Sequence, residues 1–166
     1  CPRHTIVNPM IGKRLSHFRI LDKLGIRWDS LESFFLDKSA FSSPRFNRLK
    51  QEAKQLLEQR ISLECDWGFK DPRVARLLSF WLPLIDALEL PVKFIIAIRD
   101  PAEVAGSLAG RNQAPHLKSL YLWLYYNLDL LVSTQGRSRC LVDYNQLLAQ
   151  PQLVISSMRS EEHTSE

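Results

Sequence analysis

The feature that most constrains the fold is an apolar run that ends in a cation and a helix start. Residues 94–98 read FIIAI and are followed at once by Arg99 and an Asp-Pro pair. Runs of this kind are typical of buried parallel strands, and Asp-Pro favours a helix start because proline fits the first helical turn. An earlier stretch, WGFKDPRVARLL from Trp67, repeats the order with Lys70 as the cation.

The order of the strand and helix candidates predicts an α/β fold with a parallel sheet. One strand candidate ends near Lys70, a central one covers residues 92–98, and a third reads RCLVDY at 139–144. Each is followed by a helical pattern, and strands that alternate with helices favour right-handed parallel crossovers. The helix at 117–132 is apolar nearly all round, so we expect it to be deeply buried. Residues 1–9 are expected to be irregular.

We expect a single partial domain over residues 1–158, with a mostly helical insertion at 28–60. The last eight residues, RSEEHTSE at 159–166, resemble a translated sequencing adapter, which predicts a non-native tail. Excluding the one arginine and three glutamates of that tail raises the formal net charge from +4 to +6. A basic balance of this size is compatible with an anionic ligand.

Composition argues against several classes of function. No apolar run approaches the roughly 20 residues of a membrane span. No signal peptide is visible in the sequence. The three cysteines are far apart, which is typical of reduced thiols. Both observations favour a cytoplasmic location. The cysteines and the four histidines have no metal-ligand spacing, so no metal site is expected. Basic residues do not form a stripe with interleaved aromatics, so nucleic acid is not an expected partner.

Lys70 and Arg99 are predicted at the carboxyl ends of neighbouring strands, where open parallel sheets bind ligands. Each precedes a helix start, whose free N–H groups and positive dipole end favour anions. Ser107 follows Arg99 by eight residues, in a helix whose small residues would allow close approach to the sheet or a ligand. Glu103 lies three residues after the helix cap, as in a capping box. The pattern predicts a phosphate or sulfate site.

A purely local interpretation of the same residues stays open. The basic residue before each Asp-Pro pair would then only pair with that aspartate. The small residues around Ser107 would serve tight helix packing, and the serine itself would have no role. The occurrence of the junction at two successive strand ends favours the anion site over this alternative.

These residues resemble a known family. The stretch IRDPAEVAGS is similar to the 3′-phosphate-binding motif of sulfotransferases that use 3′-phosphoadenosine 5′-phosphosulfate (PAPS). FKDPR resembles the Lys-Asp-Pro junction of protein-tyrosine sulfotransferases and of bacterial sulfotransferase-like proteins. CLVDYNQLLAQP resembles a later strand-to-helix segment of the family, with Asn145 and Gln146 where Glu-Asp is usual. The resemblance implies that Arg99 and Ser107 bind the nucleotide 3′-phosphate and that Lys70 contacts the transferring sulfuryl group.

The resemblance also implies the fold and the chemistry. The fold would be a P-loop-NTPase-like sulfotransferase core that lacks its first strand and Gly-rich loop. The intact protein would use PAPS as co-substrate, without a metal, to sulfate a hydroxyl or amine of a carbohydrate, lipid or peptide. The fragment itself is expected to be inactive. Asp71 is a candidate for the general base by proximity, although an N-cap role is favoured.

Three other functions stay open. A P-loop nucleotide or small-molecule kinase would share the parallel sheet and the basic crevice, and a GxxxxGK[ST] loop would mark it. A non-enzymatic helical interaction module is favoured by the insertion and by the apolar helix at 117–132. That module predicts that Lys70, Arg99 and Ser107 do not converge in space. Nucleic-acid binding is supported by the charge alone.

Overall fold

The chain is a mixed α/β structure in which helices predominate. A computed structural model describes residues 5–6, 17–30, 35–62, 67–68 and 70–160. The chain divides into two compact units, Cys1–Leu90 and Pro91–Glu166. The described strands of each unit form a two-stranded parallel sheet. The predicted α/β character with parallel strands is therefore confirmed, whereas the sulfotransferase core stays a prediction.

The described part of the first unit combines a short sheet with three α-helices. Its elements are β1 (Thr5–Ile6), α1 (His17–Leu24), α2 (Asn47–Ile61), β2 (Trp67–Gly68) and α3 (Val74–Ala87). Two 3-10 turns, Lys38–Ser42 and Pro44–Phe46, precede α2. β1 runs parallel to β2 and pairs with it at both of its residues. The expectation of an irregular segment at 1–9 is therefore wrong at these two positions, because pairing with β2 supplies backbone partners that local sequence does not reveal.

The end of α1 follows directly from one glycine. Gly25 adopts a φ of +69°, in the left-handed region that side chains with a Cβ rarely occupy. Its N–H donates to the carbonyl oxygen of Asp22 at 2.9 Å, and the N–H of Ile26 donates to that of Leu21 at 3.1 Å. This is a Schellman motif, which satisfies the last carbonyl groups of the helix. Gly25 thus ends α1.

The core of the first unit is an aromatic cluster between the 3-10 turns and α3. Phe41, Phe46, Phe80 and Trp81 are fully or almost fully buried. Their rings meet edge to face, with centroids 5.3 to 5.9 Å apart, a geometry that adds about 0.5–1.5 kcal/mol per pair beyond area burial. The described part of residues 28–60 is mostly helical, and the packing of α2 on α3 completes this core.

Two phenylalanines of this unit form a matched pair for a stability test. Phe80 is completely buried, whereas Phe35 is 84% exposed. We expect Phe80→Ala to lower the free energy of unfolding by about 3–5 kcal/mol, because it leaves a cavity and removes two ring contacts. Phe35→Ala is expected to change it by less than about 0.5 kcal/mol. Urea unfolding followed by circular dichroism measures both, and similar losses in the two variants would contradict this core.

The second unit contains the other sheet and four helices. Its elements are β3 (Phe94–Ile98), α4 (Pro101–Asn112), α5 (His116–Ser133), β4 (Arg139–Asp143), α6 (Tyr144–Ala149) and α7 (Pro151–Ser160). α4 and α5, which pack on each other, connect β3 to its parallel partner β4. Val154 of α7 packs with Cys140 and Val142 of β4, so that helix covers one side of the second strand.

Two predictions of deep burial in this unit are wrong. α5 buries Ser119 and Leu122, but five large apolar side chains on one of its faces are exposed: Leu117, Tyr121, Leu124, Leu128 and Val132. β3 is not covered on both faces either, since Ile95 is 61% exposed. An apolar run shows which residues can be buried, whereas burial also needs an element packed on each face. None of the described helices combines the length and the apolar character needed to cross a membrane.

Candidate anion-binding site

The strand pairing of the second unit brings two strand-to-helix junctions together. Ile98, the last residue of β3, lies opposite Asp143, the last residue of β4. The next residue of each strand, Arg99 or Tyr144, therefore emerges at the same end of the sheet. The guanidinium carbon of Arg99 lies 5.3 Å from the centroid of the Tyr144 ring, within cation–π range. Arg99 consequently occupies the carboxyl end of a parallel strand, where the sequence predicts it.

The backbone at Arg99 is held by the neighbouring helix. The indole Nε1 of Trp123, in α5, donates a 2.8 Å hydrogen bond to the carbonyl oxygen of Arg99. A carbonyl just beyond the end of a strand has no ladder partner of its own, so the indole supplies a partner that the sheet does not. The bond fixes the point at which the Arg99 side chain leaves the strand, while the side chain itself stays 37% exposed.

Glu103 is the closest charged partner of Arg99. Its Oε2 accepts a 2.9 Å hydrogen bond from Nε of Arg99, and its Oε1 accepts a 3.0 Å bond from Nδ2 of Asn145. In a capping box the carboxylate would instead accept from the N–H of the cap residue. Both partners of the ion pair are more than one third exposed, so the pair contributes only about 0.3–0.5 kcal/mol.

Three N–H groups of the first turn of α4 already have partners. Pro101 has no N–H, and Oδ1 of Asp100 accepts from the N–H groups of Ala102 at 2.7 Å and Glu103 at 3.2 Å. The N–H of Val104 donates to the carbonyl oxygen of Asp100. At these positions the expectation of free N–H groups is therefore wrong. An anion beside this capped turn would rely mainly on side-chain donors.

Ser107 lies on the same side of α4 as Glu103. It follows Glu103 by four residues, so these two positions share one side of the helix, whereas Arg99 precedes the helix. Ser107 is exposed. A Cβ at Gly106 or Gly110 would meet open space, so neither glycine packs closely on another described part of the chain, and close approach of a ligand stays a prediction. These glycines are not required for close packing.

Lys70 belongs to the other unit. One residue separates Lys70 from the end of β2, and Lys70 is exposed. Asp71 behind it is buried and ion-paired with Arg73, whose backbone N–H also donates to the Asp71 carboxylate at 2.9 Å. Asp71 thus stabilises the turn before α3, which begins at Val74 rather than directly at the Asp-Pro pair. The convergence of Lys70 with Arg99 and Ser107 stays a prediction.

Sequence reasoning missed the residues that actually surround Arg99. It assigned Glu103 to a helix cap and noted Asn145 only as a departure from a motif, and it gave no role to Tyr144 or Trp123. Two signals were available. Glu103 lies one helical turn after Arg99, and Tyr144 follows its strand as Arg99 follows β3. The link between the two signals is the register of β3 and β4, which one strand alone does not reveal.

Comparisons with protein-family models, with curated proteins and with solved structures find no significant match to this chain. The resemblance to sulfotransferases therefore rests on the motif residues themselves and stays a hypothesis. In the part of the chain that the structure describes, no group of three or more His, Cys, Asp or Glu residues could hold a metal ion. Cys140 is buried, and its sulfur lies 3.9 Å from the carbonyl oxygen of Leu141.

The cap of α4 can be tested separately from any ligand. We expect Asp100→Ala to lower the free energy of unfolding by about 1 kcal/mol, because the N–H groups of Ala102 and Glu103 lose their acceptor. Asp100→Asn keeps an acceptor and should lose less. Ser43→Ala is the control, since Ser43 precedes a helical turn but its hydroxyl makes no capping bond. Amide hydrogen exchange at Ala102 and Glu103 should accelerate in Asp100→Ala, and unchanged exchange would contradict the capping role.

Proposed function

We propose that this chain is part of a PAPS-dependent sulfotransferase in which Arg99 and Ser107 bind the 3′-phosphate of the nucleotide. The observation that carries the proposal is the position of Arg99. It stands at the carboxyl end of a parallel strand, with a side chain that is 37% exposed, eight residues before an exposed serine of α4. Ligands of open parallel sheets bind at such strand ends. The spacing is the one that the family uses.

The contacts of Arg99 are weak enough for a phosphate to replace them. Its exposed ion pair with Glu103 is worth about 0.3–0.5 kcal/mol, and its contact with the Tyr144 ring about 0.5–1 kcal/mol. A hydrogen bond from a guanidinium to a phosphate oxygen contributes about 1.5–3 kcal/mol, and two can form side by side.

The reaction requires little covalent chemistry from the protein. The acceptor oxygen or nitrogen forms a bond to sulfur and loses its proton, while the bond from sulfur to the 5′-phosphate oxygen breaks. Catalysis of this type depends on alignment and on stabilising the charge of the leaving oxygen. In this proposal Lys70 supplies that charge stabilisation, and Arg99 with Ser107 aligns the nucleotide from its far end. The acceptor is a hydroxyl or an amine, and the protein acts in the cytoplasm.

The assignment of Arg99 is tested with adenosine 3′,5′-bisphosphate. We expect it to bind more tightly than adenosine 5′-monophosphate, which lacks the 3′-phosphate. Arg99→Ala should weaken its binding by about 10-fold to 100-fold, because a charged hydrogen bond is lost. Ser107→Ala should weaken it less, since a neutral donor is removed. NMR titration or calorimetry measures these affinities.

Arg48→Ala is the matched control for this titration. Arg48 forms the same type of exposed pair, with Nε 3.2 Å from Oε1 of Glu52 one turn later, but in the first unit. Its removal changes the net charge as Arg99→Ala does, so only a site-specific effect can separate the two variants. Undiminished binding in Arg99→Ala, or equal affinity for the two nucleotides, would reject the proposed function.

A second candidate function has one specific observation in its favour. The exposed apolar face of α5 is what a non-enzymatic helical interaction module would present to a partner. The nucleotide titration separates the two candidates, because such a module has no requirement for a 3′-phosphate.

A further inference from the structure

Glu103 already binds the arginine that the proposed function assigns to a phosphate. A site for a phosphate would be expected to keep its arginine accessible, yet this carboxylate accepts from the same Nε–H that a ligand would use. It is also positioned from two sides, since Asn145 binds its other oxygen from the start of α6. These bonds connect both strand ends, because α4 follows β3 and α6 follows β4.

We propose that Glu103 is an internal competitor for Arg99, which a bound phosphate displaces. This inference rests on the proposed function. In the absence of ligand the carboxylate occupies the Nε edge of the guanidinium and holds the side chain at the strand end. When a phosphate takes that edge, Glu103 keeps Asn145 as a partner, so its displacement does not leave the carboxylate without a hydrogen bond. An anion can therefore bind Arg99 only if it interacts with the guanidinium more strongly than Glu103 does.

The capped start of α4 supports this assignment. The N–H groups of Ala102, Glu103 and Val104 already donate to Asp100, so these groups are not available to a phosphate while the cap is in place. The guanidinium is then the principal donor at this strand end, and whichever group holds it controls the affinity. Like-charge repulsion between Glu103 and the incoming phosphate also lowers the affinity of the phosphate for Arg99.

The test uses Glu103→Gln and inorganic phosphate as the probe. Glutamine keeps the length and the hydrogen-bonding capacity of the side chain but removes its charge. We expect phosphate to shift the Arg99 Nε–H resonance at a concentration about twofold lower than in the unmodified chain, which is the factor that an exposed one-turn ion pair accounts for. Glu103→Ala, which cannot accept a hydrogen bond, should show at least the same gain.

Glu52→Gln is the matched control, because Glu52 forms the equivalent one-turn pair with Arg48. It should leave the response of Arg99 to phosphate unchanged. An equal response of Arg99 in the unmodified chain and in both Glu103 variants would overturn the proposal. A gain as large in Glu52→Gln would overturn it as well, because the effect would then reflect net charge alone.

Titration of the same variants with adenosine 3′,5′-bisphosphate and adenosine 5′-monophosphate separates this inference from the proposed function. A gain for phosphate in the Glu103 variants without a preference for the 3′-phosphate nucleotide would reject the nucleotide function and leave the competition in place. A preference for that nucleotide with no gain in the Glu103 variants would reject the competition alone. Absence of both effects would reject both.

Discussion

The register of β3 against β4 is the constraint on which the candidate site depends. Because Ile98 lies opposite Asp143, the residues that follow each strand emerge side by side, and both strands lead into a helix capped by an aspartate. A shift of one residue would reverse the face of every side chain in the shifted strand. It would also separate Arg99 from Tyr144 and Glu103 from Asn145. The pairing thus affects the site by setting the positions of the residues that follow each strand.

The two Asp-Pro junctions look alike in sequence but are built differently. At the second junction, the side chain of Asp100 caps the first turn of α4. The preceding Arg99 donates a hydrogen bond to Glu103, which lies four residues later. At the first, the buried carboxylate of Asp71 binds the arginine two residues after it, and α3 begins only at Val74. In the contacts described above, neither Lys70 nor Arg99 pairs with the aspartate that follows it. The repeated sequence pattern therefore encodes two helix starts of different construction.

Much of the local structure could be predicted from the sequence, because it depends on near neighbours. The strand at Phe94–Ile98, the helix start at Pro101 and the glycine that ends α1 all follow from spacing and backbone preference. The exposure of one face of α5 could not be predicted, since apolar periodicity does not specify what packs on each face. The partners of Arg99 were inaccessible for a related reason. Asn145 is 42 residues from Glu103, and only the pairing of two strands brings them together.

The hydrogen bond between Trp123 and the carbonyl of Arg99 gives the strand end an optical reporter. Trp123 is the one tryptophan in the sequence of the second unit, since the other three, Trp28, Trp67 and Trp81, belong to the first. Indole emission depends on the polarity around the ring and on the hydrogen bond of its N–H. With the other tryptophans replaced by phenylalanine, fluorescence would come from a group bonded directly to the backbone of the candidate ligand-binding arginine. Its intensity would then follow rearrangements at that residue in real time.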